Sequence, residues 1–583
     1  MEKDIKAILD RVQKPGRYIG GEINSVRKDF SSDKVSVVLA YPDVYEVGMS
    51  YLGLRILYHL LNENDCVLCE RVFMPYEDMR NELNIFGKKL FSLESKKSLS
   101  EFDIVGFSLS YELTYTNVLD MLRAGGITVL SENRLQEEPL VIAGGGCCYN
   151  PEPMSRFIDI FIIGDGEKSF LKFIDMYKNL RTKGLTRQEL IKSFSEVEGV
   201  YAPSLYEENY SGNKFLGIKP ILKNVPSVIN KTLVENFEDS YYPVKQIVPF
   251  VKIIHDRMVV EIMRGCPNQC RFCQASSINY PVRIKTPAKI REICRDTYKN
   301  TGYENIALLS LSSINYPYLK DLVGGLKNDF KNEGVGVSIP SLRVDEAFYE
   351  LPEMMSTIRK TGLTFALESA NDDLRKSLGK KIDLQVFCKS AEIAFKHGWQ
   401  RIKLYFMVGF PGEYEDEVEK IIEAAKKLSI LRKTVSSKSA EVKVSVNAFI
   451  PKAHTALQWL GMSDKESLLK TRRKLMASSS KKVKFEFHNI DQSIVEACLA
   501  RGNRKTSDVI YEAWTKGARM DGWTEAFNFK IWEDAFKENG IDIYDCACKR
   551  YSVLDVLPWA HIKIGRNEEY LRNEFKDSGF LKT

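Results

Sequence analysis

Three cysteines stand close together in the segment Glu261-Ile-Met-Arg-Gly-Cys266-Pro-Asn-Gln-Cys270-Arg-Phe-Cys273. Thiolates are the standard protein ligands of iron–sulfur clusters, and zinc also takes them. The C-x3-C-x2-C spacing lets three thiolates wrap one face of a cubane and leaves its fourth iron open. A structural zinc site needs a fourth, closing ligand. None is at hand, since His255 lies eleven residues before Cys266 and ahead of the preceding strand. The spacing therefore points to a [4Fe-4S] cluster held by Cys266, Cys270 and Cys273. Incidental cysteines, or a zinc hook finished by a distant ligand, are the competing readings.

The loop must be carried by something rigid. It follows the apolar run Met258–Met263, which opens a strand-and-helix series. Further strands are expected at Asn305–Leu309, Gly336–Ile339, Leu363–Leu367, Arg401–Met407 and Val442–Val446, with helices over 287–300, 316–331, 345–361, 383–397 and 414–428. Six such units suggest a partial (β/α)6 barrel of the TIM type, whose active sites gather at the C-terminal ends of the strands. Those ends carry Ser310-Leu-Ser312-Ser313, Ser341-Leu-Arg343, Glu368 and Gly409-Phe-Pro411-Gly-Glu413.

The C-x3-C-x-aromatic-C loop resembles that of the radical S-adenosylmethionine (SAM) superfamily. The resemblance implies that the open iron chelates the methionine part of SAM. An electron from a donor such as flavodoxin or ferredoxin then cleaves SAM to a 5′-deoxyadenosyl radical. It places Phe272 near the adenine and Ser310 and Ser312 at the methionine amino group. Arg343, with Ser341 at the same strand end also facing SAM, would meet the carboxylate, Glu368 the ribose, and Gly409 and Pro411 the adenine.

Ahead of the barrel, strands are expected at Lys34–Ala40, Asp103–Leu109, Leu140–Ala143 and Ile158–Ile163, with helices at Leu52–Leu61 and Asn117–Ala124. This alternation reads as a Rossmann-like parallel sheet. Two strands run into glycines, Gly144-Gly145-Gly146 and Gly164-Asp165-Gly166-Glu167. Glycine lets a ligand approach the backbone, and it also builds tight turns. The pair resembles the cobalamin-binding domain that precedes the barrel in a radical SAM subclass. On that resemblance Ser108, Ser110, Gly144, Gly145, Gly146, Gly164, Gly166 and Glu167 face a corrin. Two features depart from it. The loop Tyr41-Pro-Asp-Val-Tyr-Glu-Val-Gly48 lacks the histidine that other cobalamin proteins set beneath cobalt, and Cys147 and Cys148 follow the glycines where a histidine is usual.

The expected organisation is an arm (1–33), the cobalamin-binding-like sheet (34–180), a connector (181–250), the barrel (251–470) and a helix-rich C-terminal extension (471–583). Stretches such as Glu70-Arg-Val-Phe-Met-Pro75, Pro451-Lys-Ala-His454 and Leu557-Pro-Trp-Ala-His561 make the whole chain resemble an uncharacterised family of such fused proteins. It departs from that family at Leu367 and at Ser369-Ala370, a loop expected to touch substrate. No secretory signal and no membrane-length apolar run occurs, so a cytoplasmic protein with no membrane partner is expected. A net charge of +6 on 583 residues demands no polyanion.

The function expected is cobalamin-dependent methyl transfer to an unactivated carbon. One alternative is cobalamin-independent RNA modification such as thiolation, suggested by Arg472, Arg473, Lys474, Lys481, Lys482, Lys484, Arg501, Arg504 and Lys505 near Phe485 and Phe487. The other is an iron–sulfur redox sensor. The substrate is not readable from the sequence.

Overall fold

The computed structural model describes residues 2–212, 214–339, 363–412 and 416–580. The chain forms two compact units. One holds Met1–Asp256, Leu499–Ile541 and Asp555–Gly565; the other holds Arg257–Cys498, Asp542–Leu554 and Arg566–Thr583. Among the described residues no helix is long and apolar enough to cross a membrane.

The first unit is built on β1 (Val35–Tyr41), β2 (Val67–Phe73), β3 (Ile104–Ser108), β4 (Leu140–Gly144), β5 (Ile160–Ile162) and β6 (Val200–Tyr201). Among the described residues their order in the sheet is β2-β1-β3-β4-β5-β6. The first five are parallel and β6 runs antiparallel. Parallel strands are covered on both faces, so they read as continuous apolar runs; all seven residues of β1 are buried. β2 escapes that reading because Glu70 and Arg71 interrupt it. Both are buried, and Arg71 is satisfied by Glu22 at 2.8 Å and Glu94 at 2.7 Å. Residues 499–541 and 555–565 complete this unit. Trp514 Nε1 and Arg519 Nε donate to Asp120 Oδ1 at 3.4 and 2.6 Å, and the Met520 N–H donates to Asn117 Oδ1 at 2.7 Å. Asp120 and Asn117 lie on the helix Tyr115–Ala124.

The second unit contains β7 (Met258–Glu261), β8 (Asn305–Leu309), β9 (Gly336–Ser338), β10 (Leu363–Glu368), β11 (Arg401–Val408), β12 (Glu441–Ala448) and β13 (Val483–Phe487). Among the described residues these form two parallel sheets, β7-β8-β9 and β10-β11-β12-β13. Helices Pro287–Thr301, Leu319–Asp329, Leu384–Lys396 and Glu417–Leu431 separate them, giving the α/β alternation expected of the barrel. The expected helix 345–361 lies outside the described residues. β13 falls in the stretch read as extension. Its Val483-Lys-Phe-Glu-Phe487 buries Val483 and Phe485 and exposes Lys484 and Glu486, so its charged face hides a strand with only one buried side.

Candidate active site

The cysteine loop leaves the sheet where β7 and β8 lie side by side, with Glu261 opposite Leu309. The Ile262 N–H donates to the Leu309 carbonyl at 3.0 Å. Met263–Arg264 then pairs with Arg283–Ile284 in a short antiparallel ladder. Gly265 turns the chain with φ +87°. A Cβ there would lie 2.8 Å from the Asn279 carbonyl and 2.9 Å from that of Pro281, so only glycine fits.

Cys266 is buried, and Cys270 and Cys273 are half-buried. The Asn268 amide reaches three acceptors: Cys266 Sγ at 3.6 Å, Ser312 Oγ at 3.2 Å and Asn315 Oδ1 at 2.8 Å. It ties the loop to the end of β8. Cys273 Sγ accepts from the Ser276 N–H at 3.4 Å. Burial pushes the Cys273 thiol up; the Ser276 hydrogen bonds and the charge of Lys380 pull it down, while Cys266 pushes it up again. Donors aimed at sulfur suit thiolate ligands. Among the described residues no three His, Cys, Asp or Glu side chains are gathered closely enough for a single metal ion. Three cysteine thiolates carried on one loop are the donor set that an iron–sulfur cluster takes.

The other strand ends divide. Ser310 and Ser312 are buried beside the loop; Ser310 Oγ lies 2.9 Å from Ser313 Oγ, and Ser312 donates to Asn315 at 2.7 Å. Glu368 ends β10 after a bulge and has φ +68°, rare for a residue with a side chain. Lys380 holds its carboxylate at 3.2 Å. Ser369-Ala370 does not form an open substrate loop. Both residues are buried, and the Ala370 and Asn371 N–H groups donate to Glu417 at 2.7 and 3.1 Å.

Phe272 is half-buried. Gly409 and Pro411 line a pocket of about 320 Å³ with Ser463, Asp464, Cys548 and Arg550. None of the three loop cysteines, Ser310, Ser312 or Glu368 lines it. Ser341, Arg343 and Glu413 lie outside the described residues.

In the first unit, strand order reverses between β1 and β3, the kind of place where open α/β sheets bind ligands, outside the C-terminal ends of the strands. Tyr41 and Ser110 meet there, oxygen to oxygen at 2.9 Å. Ser108 and Gly144–Gly146 are half-exposed at this edge, as are Gly164, Gly166 and Glu167, and Ser110 is exposed. Packing alone demands two of these glycines. A Cβ on Gly145 would come within 2.5 Å of the Leu109 carbonyl, and one on Gly164 within 2.3 Å of the Thr232 carbonyl. Gly144 and Gly166 are different: the nearest atoms to an added Cβ lie at 3.6 and 3.5 Å.

Two family models match the chain. Residues 53–203 match the N-terminal domain of radical SAM proteins, and residues 260–425, which include all three cysteines, match the radical SAM superfamily. This is a radical SAM enzyme. That family uses SAM and a [4Fe-4S] cluster, for which Cys266, Cys270 and Cys273 are the candidate ligands. An uncharacterised protein, MJ0966, from Methanocaldococcus jannaschii is 27% identical over 81% of this chain and 90% of its own. The uncharacterised methyltransferase PH0819 of Pyrococcus horikoshii is 25% identical over 56% of this chain and 65% of its own. The ribosomal protein uS12 methylthiotransferase RimO of Petrotoga mobilis is 24% identical over 36% and 53%. Among solved structures, the radical SAM methyltransferase TsrM from Kitasatospora setae, with cobalamin and [4Fe-4S] cluster bound, superposes at TM-score 0.47 and 12% identity over 73% of this chain and 74% of that one. The cobalamin-dependent radical SAM enzyme OxsB gives 0.47 and 12% over 94% and 79%.

Sequence reading of the radical SAM motifs missed Asn268, Lys380 and Tyr41. Asn268 sits inside the cysteine motif, where its position gives a signal. Lys380 and Tyr41 act through contacts that no local pattern announces.

Proposed function

We propose that this radical SAM enzyme carries cobalamin in its first unit and methylates an unactivated carbon. The observation that carries the reading is the reversal of strand order between β1 and β3 together with Gly144 and Gly166, whose lack of a side chain internal packing does not explain. Ligands of open α/β sheets bind at such a reversal, outside the carboxyl ends of the strands. The Pyrococcus relative's description as a methyltransferase agrees with it. When bound, cobalamin supplies a methyl carrier, and the cluster with SAM supplies a hydrogen-abstracting radical.

The chain's own residues bind and orient. Cys266, Cys270 and Cys273 hold the cluster, and Asn268 fixes Cys266 against Ser312. Glu368, steadied by Lys380, meets the ribose. Ser108, Ser110 and the Gly144 and Gly166 backbones seat the corrin. Reduction comes from an external one-electron donor of the flavodoxin or ferredoxin type.

The RNA-modifying alternative draws support from the methylthiotransferase relative, and Arg472, Arg473, Lys474, Lys481, Lys484 and Lys505 are exposed, but the other three basic residues are engaged within the fold. Arg504 donates to Glu152 at 2.7 Å and to the Tyr206 carbonyl at 2.7 Å, Arg501 is buried, and Lys482 pairs with Glu441 at 3.2 Å.

The test is anaerobic purification after cobalamin feeding, with iron and cobalt counted, then incubation with dithionite and SAM. Iron, cobalt and 5′-deoxyadenosine together support the reading. Iron and 5′-deoxyadenosine without cobalt overturn the cobalamin part. A full iron load with no 5′-deoxyadenosine under any reductant favours the sensor.

A further inference from the structure

The middle cysteine of the loop is flanked by two residues that the same distant helix holds. Gln269 precedes Cys270 and Arg271 follows it. The helix Glu568–Asp577 presents Tyr570 and Glu574, four positions apart and so on one face. The Tyr570 hydroxyl donates to Gln269 Oε1 at 2.8 Å, and Arg271 Nε donates to Glu574 Oε2 at 2.9 Å. These partners are 301 and 303 residues apart in the chain. The helix is itself anchored: Leu571 and Phe575 are buried, and the Phe575 ring lies 5.4 Å from that of Trp459. At its start Arg566 stacks over Tyr570 at 4.9 Å and over Tyr280, of the segment following the cysteines, at 4.7 Å.

Arg271 does more than pair with Glu574. Its Nη1 donates to the carbonyls of Lys376 and Ser377 at 3.1 and 3.0 Å. Those carbonyls close the helix Asp372–Ser377, whose last C=O groups have no partner within the helix. A guanidinium there suits the negative end of the helix, where the Lys376 carbonyl also accepts from the Gly379 N–H at 2.9 Å. The Arg271 backbone is held as well, its N–H by the Leu378 carbonyl at 3.0 Å and its C=O by the Leu457 N–H at 3.3 Å. Gly379 makes the approach possible: a Cβ there would sit 2.8 Å from the Gln269 carbonyl.

We infer that Tyr570 and Glu574 are positioning residues of the radical SAM centre: by gripping Gln269 and Arg271 they set where Cys270 stands, and so the orientation of the cluster and of the iron that SAM ligates. Neither is among the cluster ligands; each acts through a neighbour of Cys270. Glu574 and Arg271 keep 24% and 13% of their side-chain surface exposed, and Arg271 retains the Lys376 and Ser377 carbonyls when Glu574 becomes glutamine, so the change costs little global stability. Its effect is on geometry. Outer-shell partners of metal ligands typically change affinity or activity by about 10–100-fold when removed. The inference rests on the cluster assignment in the proposed function, and deepens it.

The experiment uses the full chain, anaerobically reconstituted, as wild type, Tyr570→Phe, Glu574→Gln and the double variant. Iron per chain, melting temperature, the electron paramagnetic resonance spectrum of the reduced cluster with and without SAM, and 5′-deoxyadenosine formation are measured. The expected result is an unchanged melting temperature and near-complete iron in all variants. The double variant shows an altered spectrum, a smaller SAM-induced change and about tenfold slower SAM cleavage; Glu574→Asp restores part of the wild-type spectrum, relative to Glu574→Gln. Wild-type spectra and rates in the double variant overturn the inference. So does a lowered melting temperature with an unchanged spectrum, which marks the helix as merely structural. A wild type that shows the SAM-induced spectral change yet makes no 5′-deoxyadenosine overturns the proposed function and leaves the spectral comparison standing.

Discussion

The glycine-rich sheet edge of the first unit and the cysteine loop of the second solve the problem of holding a large cofactor in opposite ways. At the sheet edge the site is made by leaving side chains out. Gly144 and Gly166 leave room that the protein's own packing does not use, and Gly145 and Gly164 bring the Leu109 and Thr232 backbones close. At the cysteine loop the site is made by side chains, each held by a second one: Asn268 on Cys266, Arg271 on Glu574, Lys380 on Glu368. A site made of absences tolerates little addition; a site made of contacts degrades step by step as they are removed.

The largest expected effect comes from Cys270→Ala. Two thiolates cannot present an open iron correctly, so 5′-deoxyadenosine falls to background while Cys546→Ala leaves it unchanged. Product formation under dithionite measures both, and equal loss in Cys546→Ala would point to a second cluster.

Next is Gly164→Ala in the sheet. With φ +109° and the Thr232 carbonyl 2.3 Å from the new Cβ, it should destabilise the first unit by about 2–4 kcal/mol, read by chemical denaturation. A loss below about 0.5 kcal/mol would show that the turn relaxes freely.

Asn268→Ala should be milder, leaving most of the iron bound and slowing SAM cleavage about tenfold. Full activity would remove Asn268 from the contact list that defines the loop.

Acid sets a further distinction. Burial, followed by the charges of Arg504 and Lys563, holds His561 of the first unit down at about 3, against a usual value near 6.5. The unfolded chain takes up a proton that the folded one refuses. This part of the stability is therefore complete above about pH 6.5 and is lost progressively as pH falls toward 3. Melting temperatures of wild type and His561→Gln between pH 7 and pH 4 should converge on acidification; parallel curves would contradict the assignment.

The smallest effect is Gly166→Ala. Its Cβ meets only Leu57, at 3.5 Å, so stability should stay within about 0.5 kcal/mol of wild type. If cobalt retention falls while stability holds, Gly166 faces the ligand; equal cobalt in both proteins would return it to ordinary turn chemistry.

The sequence made visible whatever had a local period or an unusual residue. The apolar runs at 34–40, 258–263 and 305–309 read as strands because a parallel strand buries both faces. Gly265 and the cysteines announced the loop. β2 did not, because Glu70 is held by Ser95 and Arg71 is paid for by Glu22 and Glu94, partners that lie far along the chain. The same distance hid the hold of Tyr570 and Glu574 on the loop. Gly409 and Pro411 were read correctly as following a strand, yet they line a pocket with Cys548 and Arg550 that spacing gave no way to foresee. Gly145 and Gly164 stood out as glycines, but only coordinates show that backbone packing accounts for them.

The chain crosses between its two units more than once, and this bears on the order of synthesis. Most of the first unit is made when residue 256 leaves the ribosome, but its remaining pieces, 499–541 and 555–565, come close to the end of the chain. Until then Asn117 and Asp120 lack Met520, Trp514 and Arg519, and the helix face that carries them has no cover. Folding of the sheet ahead of the barrel, the usual course for an N-terminal domain, therefore stops short. A nascent chain halted before residue 499 holds a strand core without its lid, a form that a chaperone would bind and a protease would cut.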